Sequence, residues 1–227
     1  MNAQDFLLFL SLGDVWPLND SLFWPAFARR FRESPKGMSL EEERQHQSDI
    51  FTLLRIGQLD ESWTNHLVAP REIAMKEQEA IEKVADELCE LLHDTSASLE
   101  RMSALATKHS AFLDNWSRIL MSHPRTPAPY RHHMDQRTKK HGSLSNAAAH
   151  AARSFRALVP KEEEDTRNQV KLFREGKPVR GQLSTAGWCN IAEGALVGGI
   201  LAIPSAPYLG AFAAGFGIGF LAVAEGC

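Results

Sequence analysis

Cysteine is scarce in this chain of 227 residues, and its three copies are far apart: Cys89, Cys189 and Cys227. An odd number without a short spacing fits neither a disulfide framework nor a zinc site, and it indicates a reducing compartment. We therefore expect Cys189 to be a small buried side chain, the alternative being a nucleophile paired with His141 or His150.

Signatures of catalysis and of cofactor binding are lacking as well. The glycine-rich run at 215–219 has neither the Lys-Ser/Thr ending nor the strand–turn–helix context of a phosphate-binding loop. His132, His133 and Asp135 offer ligand atoms for a metal ion, but neighbouring histidines in a basic segment are more often only solvated. We expect no metal, no other cofactor and no enzymatic activity. The alternative is an enzyme whose glycine-rich tail lines a ligand pocket.

No targeting signal is evident at the N-terminus. The apolar run at 6–12 follows Asp5, lacks a preceding Lys or Arg, and is short for the hydrophobic region of a signal peptide. Asn2 stands where myristoylation needs glycine, and Cys227 is not four residues from the end, as prenylation requires. These absences predict a cytoplasmic protein.

Basic residues are absent from the end of the sequence. The whole chain has 25 Lys and Arg against 28 Asp and Glu, a net charge of −3. Residues 1–122 sum to −8 and residues 123–180 to +7, whereas residues 181–227 contain only two charged groups, Glu193 and Glu225. The chain therefore consists of an acidic block, a basic block and a nearly uncharged tail.

Apolar periodicity predicts an all-α protein, a helical bundle with a C-terminal Gly/Ala-rich hydrophobic helical hairpin. The chain divides into an aromatic-rich N-terminal segment (1–38), an acidic helical bundle or coiled-coil hairpin (39–122), a basic His/Pro-rich linker (123–142), amphipathic helices (143–180) and the hydrophobic hairpin (181–227). The linker has only one aromatic residue, Tyr130, among its basic residues, so we do not expect nucleic-acid binding.

Capping residues and heptad spacing predict the helices of the acidic block. The capping-box pattern at Ser39 and Glu42 predicts a helix that ends near residue 56, before Gly57. Further along, apolar residues at heptad spacing fit either one long helix with a weak patch or an antiparallel hairpin of about 71–93 and 98–122. We favour the hairpin because it is the more compact arrangement.

Proline and glycine predict the helices after the linker. A helix is expected from Ser143, and Pro160 with the acidic residues after it is expected to open another. That second helix should end near Gly176.

The uncharged tail suggests a function. From 194 to 224 it has 31 residues without a formal charge, and the prolines at 204 and 207 divide it into two apolar arms. The second arm, 208–224, has 17 residues, the lower limit for a helix that crosses a bilayer. The two arms predict a helical hairpin that enters a membrane.

Small and aromatic residues recur every four positions in these arms. In lipid, a small-residue stripe lets helices approach closely and favours homo-oligomers, while large apolar side chains face the acyl chains. The expected helix-packing residues are Gly194, Gly198, Ala211, Gly215 and Gly219. The expected membrane-inserting residues are Leu209, Phe212, Phe216, Phe220 and Leu221.

Four cations precede the tail at intervals of three residues: Lys171, Arg174, Lys177 and Arg180. Positive charge beside an apolar segment favours contact with the headgroups of an anionic membrane. The alternative is that these cations pair with the acidic first block of the same chain.

The composition of this tail resembles the hydrophobic hairpin of pore-forming colicins, and its Gly/Phe/Ala mixture resembles viral fusion peptides. The resemblance covers about 35 residues. In the colicin class a soluble bundle encloses the hairpin until it meets a membrane, so the resemblance implies a buried state that precedes insertion.

Together these features predict a membrane-inserting, pore-forming helical effector of the toxin or cell-death and defence type. It would be cytoplasmic and membrane-associated, with an anionic lipid membrane and further copies of the chain as partners. The alternative is a soluble helical scaffold or adaptor protein in which the apolar tail is buried core or a partner-binding element.

Overall fold

The computed structural model describes residues 38–68, 75–124, 126, 128–203, 207–223 and 227. These residues form seven α-helices and no strand, so the prediction of an all-α protein is confirmed. The helices are α1 (Leu40–Val68), α2 (Met75–Lys108), α3 (Ser110–Ser122), α4 (Ala128–His141), α5 (Leu144–Arg174), α6 (Thr185–Ala202) and α7 (Pro207–Val223). The aromatic-rich segment 1–38 lies outside the described residues, apart from its last residue.

Helix α1 begins with the capping box expected from the sequence. The Ser39 backbone nitrogen donates to Glu42 Oε2 at 2.8 Å, and the Glu42 nitrogen donates to Ser39 Oγ at 3.2 Å. The helix continues through Gly57 to Val68, so the expected end near residue 56 is wrong. A Cβ atom on Gly57 would lie 3.3 Å from the Trp188 ring, which shows that this glycine makes room for an indole.

Helix α2 is one continuous helix of 34 residues, and the favoured hairpin with a break at 93–98 is wrong. His93 and Asp94 at the start of that patch are exposed, whereas Thr95, Ser96 and Ser98 are buried within the helix. Ser98 Oγ donates to the Asp49 carboxylate of α1 at 3.1 Å, and Arg101 donates three hydrogen bonds to the same carboxylate. The chain interrupts its helix later, at His109.

The segment 123–142, interpreted from its prolines as a linker, contains helix α4. Pro129 lies in the first turn, where a missing N–H costs nothing because no intrahelical partner exists there. Tyr130, Met134 and Arg137 share one face, at intervals of four and three residues, and all three are buried. This face packs on α5 and α7.

Helix α5 runs without interruption from Leu144 to Arg174, so Pro160 does not begin a separate helix. Pro160 is exposed, and the hydrogen bond that it cannot donate is lost on the solvent side. The helix ends as expected near Gly176, which adopts a left-handed conformation with φ of 65°.

Helices α2 and α5 lie antiparallel and are joined by ion pairs between the acidic and basic blocks. The ion pairs are Glu82–Arg174, Asp86–Arg167 and Glu100–Arg156, and His93 is hydrogen-bonded to Glu163 between the same two helices. Each is exposed and contributes little stability alone. Their order runs in opposite directions along the two helices, as antiparallel packing requires.

Helix α6 occupies the centre of the bundle. It contacts α1, α2, α3, α5 and α7, and every residue from 190 to 203 is buried. Helix α7 contacts α6, α4 and α1. The uncharged tail therefore supplies the core around which the charged helices pack.

Candidate functional site

Helices α6 and α7 approach each other closely enough to bring their backbones into contact. A Cβ atom on Gly199 would lie 2.6 Å from the Gly210 carbonyl oxygen, and one on Gly217 would lie 2.6 Å from the Leu196 nitrogen. Because residue 199 meets 210 while 196 meets 217, the two helices run antiparallel. Close approach through glycine is the device expected for a membrane, and here it operates inside a protein.

The predicted helix-packing stripe has partners within the chain. A Cβ atom on Gly194 would overlap Leu99, and one on Gly198 would overlap Met102, both on α2. Gly215 is buried and Gly219 is half-buried, whereas the side chain of Ala211 lies outside the described residues. Homo-oligomerisation through this stripe stays a prediction.

The predicted membrane-inserting residues contact other helices of the bundle. Phe220 stacks on Trp188 of α6 with ring centroids 4.8 Å apart, and Phe216 lies 6.4 Å from the same indole. Leu221 is buried and Leu209 is half-buried against the core. The side chain of Phe212 lies outside the described residues.

These contacts correct the functional hypothesis. Within the part of the chain that the structure describes, no helix has both the length and the apolar character needed to cross a bilayer. The prediction of a membrane-inserting, pore-forming effector is therefore wrong, and the assignment to toxins or cell-death proteins loses its support. The physical reason is that other helices of the same chain cover the apolar residues.

Two of the four cations before the tail have acidic partners within the chain. Arg174 pairs with Glu82 of the acidic block, as the alternative interpretation expected, and Lys177 pairs with its neighbour Glu175. Lys171 and Arg180 are exposed. Contact of these side chains with lipid headgroups stays a prediction.

A polar joint holds the connection between α5 and α6 against the bundle. Asp60 Oδ1 accepts a hydrogen bond from the Leu183 nitrogen at 2.9 Å, and Glu162 accepts one from the Ser184 hydroxyl. Ser184 in turn caps α6 by accepting from the Gly187 nitrogen at 3.1 Å. Burial raises the pKa of Asp60 to about 6.

A second polar cluster surrounds the one acidic residue in the centre of α6. Glu193 faces His141, the last residue of α4, with 3.1 Å between Oε1 and Nε2. His150 of α5 completes the group, because its ring centroid is 4.7 Å from that of His141. Ligand atoms of the three side chains all lie within 4.8 Å of one another.

Arginine and lysine flank this cluster on the other side of Glu193. Arg137 Nη1 is 3.8 Å from Glu193 Oε2, and both side chains are about 95% buried. Arg137 Nη2 and Lys140 Nζ also donate to the Cys227 carbonyl oxygen, at 3.0 and 3.1 Å. The two carboxylate oxygens of Glu193 therefore face different partners, one a histidine and the other a guanidinium.

Burial is the largest cause of the pKa shifts in this cluster. It raises the pKa of Glu193, while Arg137 and Lys140 act in the opposite direction. It lowers the pKa values of His141 and His150, and the positive charges of Lys140 and Arg137 lower them further. Both shifts favour the neutral form of the imidazoles.

A disulfide bond lies one helical turn from this cluster. Cys189 on α6 is bonded to Cys227, with Cα atoms 5.5 Å apart, so the expectation that no cysteine is paired is wrong. The partners are 38 residues apart in sequence and meet only in the folded chain. Cys89 is free and buried.

Sequence reasoning missed the cluster, although one signal for it was present. Glu193 is a lone acid at the edge of a long uncharged stretch, and a buried carboxylate requires partners. Its partners come from the segment interpreted as a linker and from the helix after it. Of the three metal candidates considered from sequence, His132 and Asp135 bond along α4 to Gln136 and Lys139. The ring of His133 lies edge-on to that of His132, with centroids 5.4 Å apart.

Comparisons with protein-family models, with curated proteins and with solved structures return no match for this chain.

Proposed function

We propose that the chain is a helical scaffold or adaptor protein whose apolar C-terminal helices are its own core. The observation that carries this proposal is the burial of every residue from 190 to 203 in a helix that contacts five others. A segment that is buried among other helices of its own chain presents no surface to a partner. Partners would then contact the outside of the bundle.

The outer face of α1 is the surface that best suits such contacts. Phe51 is 60% exposed, one of two large hydrophobic residues in the described chain with that much exposure. Arg44 and Arg55 are exposed on the same face, one or two turns away. Aromatic residues and arginine are enriched where proteins bind each other.

Hydrogen exchange tests whether the tail is a permanent core. With the full chain in solution, we expect the amides of 190–203 to be among the slowest to exchange, because their opening requires the bundle to open. Adding vesicles of anionic phospholipid should leave those rates unchanged. Faster exchange at 190–203 with vesicles present would show that the tail leaves the bundle, and would contradict the proposal.

Photo-crosslinking tests the surface. A photoreactive side chain at position 51 should crosslink to a partner protein in cells that naturally produce this chain. The same group at Lys161, exposed on α5, is the matched control and should give no such product. Equal yields at both positions would show that the α1 face has no special role.

A further inference from the structure

We propose that His141, His150 and Glu193 bind a divalent transition-metal ion such as zinc. The three residues come from α4, α5 and α6, so the ion would join the central helix to the corner between the other two. Two imidazoles and one carboxylate are a common ligand set for zinc, with the fourth position left to water. The inference does not depend on the scaffold function.

The distances suit a shared ion. Ligands of a tetrahedral ion with bonds of about 2.0–2.1 Å lie roughly 3.3 Å apart. His141 Nε2 and Glu193 Oε1 are 3.1 Å apart, so one ion fits between them without backbone movement. His150 is exposed, and its side chain can rotate through the remaining distance.

Two of the ligand atoms are buried without hydrogen bonds. The side chains of His141 and Glu193 are only 9% and 4% exposed. Within the described residues, neither His141 Nε2 nor Glu193 Oε1 has a hydrogen-bond partner, although the two atoms face each other. Buried polar atoms without partners are costly, and a metal ion would satisfy both at once.

The surrounding charges select the kind of ion. Arg137 and Lys140 are cations beside the cluster, and they oppose the binding of any metal. Hard ions such as magnesium and calcium depend on several oxygen ligands and would not overcome this repulsion. Zinc, cobalt and nickel bond strongly to imidazole nitrogen, and the cluster supplies two imidazoles.

Arg137 also orients the carboxylate of Glu193. Its guanidinium faces Glu193 Oε2, which directs the other oxygen, Oε1, toward His141. Partners of this kind orient the carboxylate ligand of a metal. The exposed side of His150 gives the ion a path from solvent.

Calorimetric titration of the full, untagged, oxidised chain with Zn²⁺ tests the site. We expect one ion per chain, and a melting temperature that rises with Zn²⁺ concentration because the ion binds only the folded state. His150→Ala should weaken binding at least tenfold, and this exposed position should tolerate the change. Glu193→Gln should weaken it as well.

His132→Ala is the matched control. His132 is exposed on α4, where it contacts Gln136 at 2.9 Å and the ring of His133, so its loss should leave zinc affinity unchanged. Circular dichroism of each variant separates lost ligands from lost fold. Co²⁺ absorption gives a second readout, because a thiolate charge-transfer band would place the ion at Cys89 instead.

Three results would overturn the assignment. The first is a wild-type chain that binds neither Zn²⁺ nor Co²⁺ more tightly than about 100 µM. The second is a folded His150→Ala variant with unchanged affinity. The third is a thiolate band in the Co²⁺ spectrum.

Discussion

Gly199 on α6 and Gly210 on α7 face each other so closely that neither has room for a side chain. A Cβ atom on Gly199 would lie 2.6 Å from the Gly210 carbonyl oxygen, and one on Gly210 would lie 2.7 Å from the Gly199 carbonyl oxygen. Both obstacles are backbone atoms, which cannot rotate away. Backbone contact therefore sets the spacing of these two helices.

Gly199→Ala should lower the free energy of unfolding by about 2 kcal/mol or more, because the added methyl group pushes α6 and α7 apart. Urea titration followed by circular dichroism measures the change. Gly57→Ala is the control: its Cβ atom would meet only a side chain, at 3.3 Å, and alanine improves helix propensity. We expect its effect to stay within about 1 kcal/mol. Equal losses in both variants would contradict this account.

Reducing the bond between Cys189 and Cys227 should destabilise the chain. The cross-link spans 38 residues, and its loss should lower the free energy of unfolding by about 2–4 kcal/mol because the unfolded chain gains freedom. Urea titration with and without a reductant measures this. In a Cys189→Ser variant the reductant should have no further effect, and a residual effect would point to Cys89.

The sequence was sufficient to predict the class of fold and several helix ends. Capping at Ser39 depends on residues three apart, and the end of α5 near Gly176 depends on one glycine, so both are local properties. Pro129 and Pro160 were misleading because a proline in a first turn or on an exposed face leaves a helix intact.

The environment of the apolar tail could not be predicted in the same way. Small residues in a helix allow close packing in lipid and in a protein core alike, so the pattern at Gly194 and Gly198 fits both. The choice depends on whether the amphipathic helices cover the tail, which is a tertiary property. The partners of Glu193 were hidden for the same reason, since they come from two other helices.

Asp60 should make the chain less stable as pH rises. Burial raises the pKa of this carboxyl from 3.8 in the unfolded chain to about 6, although hydrogen bonds from Leu183 and Trp188 oppose the shift. Between these values the folded state holds the proton more tightly, so stability falls as pH rises from about 4 to 6.

Asp60→Asn removes this titration while keeping an oxygen that accepts from Leu183. The effect of Asp60→Asn on the free energy of unfolding should differ between the two ends of the pH range. It should be more stabilising at pH 7 than at pH 4, by up to about 3 kcal/mol. Urea titrations across that range measure the slope. Glu61→Gln, exposed on the neighbouring position of α1, is the control and should leave the slope unchanged. If the unfolding free energy of Asp60→Asn changes with pH as it does in the wild-type chain, this carboxyl does not titrate between pH 4 and 6.

The titration of His46 should make the chain more stable as pH rises, the opposite of the effect of Asp60. Burial lowers the pKa of this imidazole from 6.5 in the unfolded chain to about 4, although the charge of Asp49 opposes the shift. The unfolded chain therefore binds the proton first, and stability is lost as pH falls from about 6.5 to 4. Because Asp60 and His46 have opposite slopes over nearly the same range, their contributions largely cancel in the wild-type chain.

The cancellation gives a test that neither residue gives alone. Asp60→Asn should unmask a loss of stability toward acid. His46→Gln added to it should reduce that loss by about 3 kcal/mol, whatever packing cost it carries at every pH. The remainder belongs to other histidines with lowered pKa values, among them His141 and His150. The measured quantity is the change of unfolding free energy between pH 4 and 6.5 in the single and double variants. If the double variant loses as much stability toward acid as Asp60→Asn alone, His46 does not titrate in this window, and the loss belongs to other groups such as His109, whose pKa is also lowered.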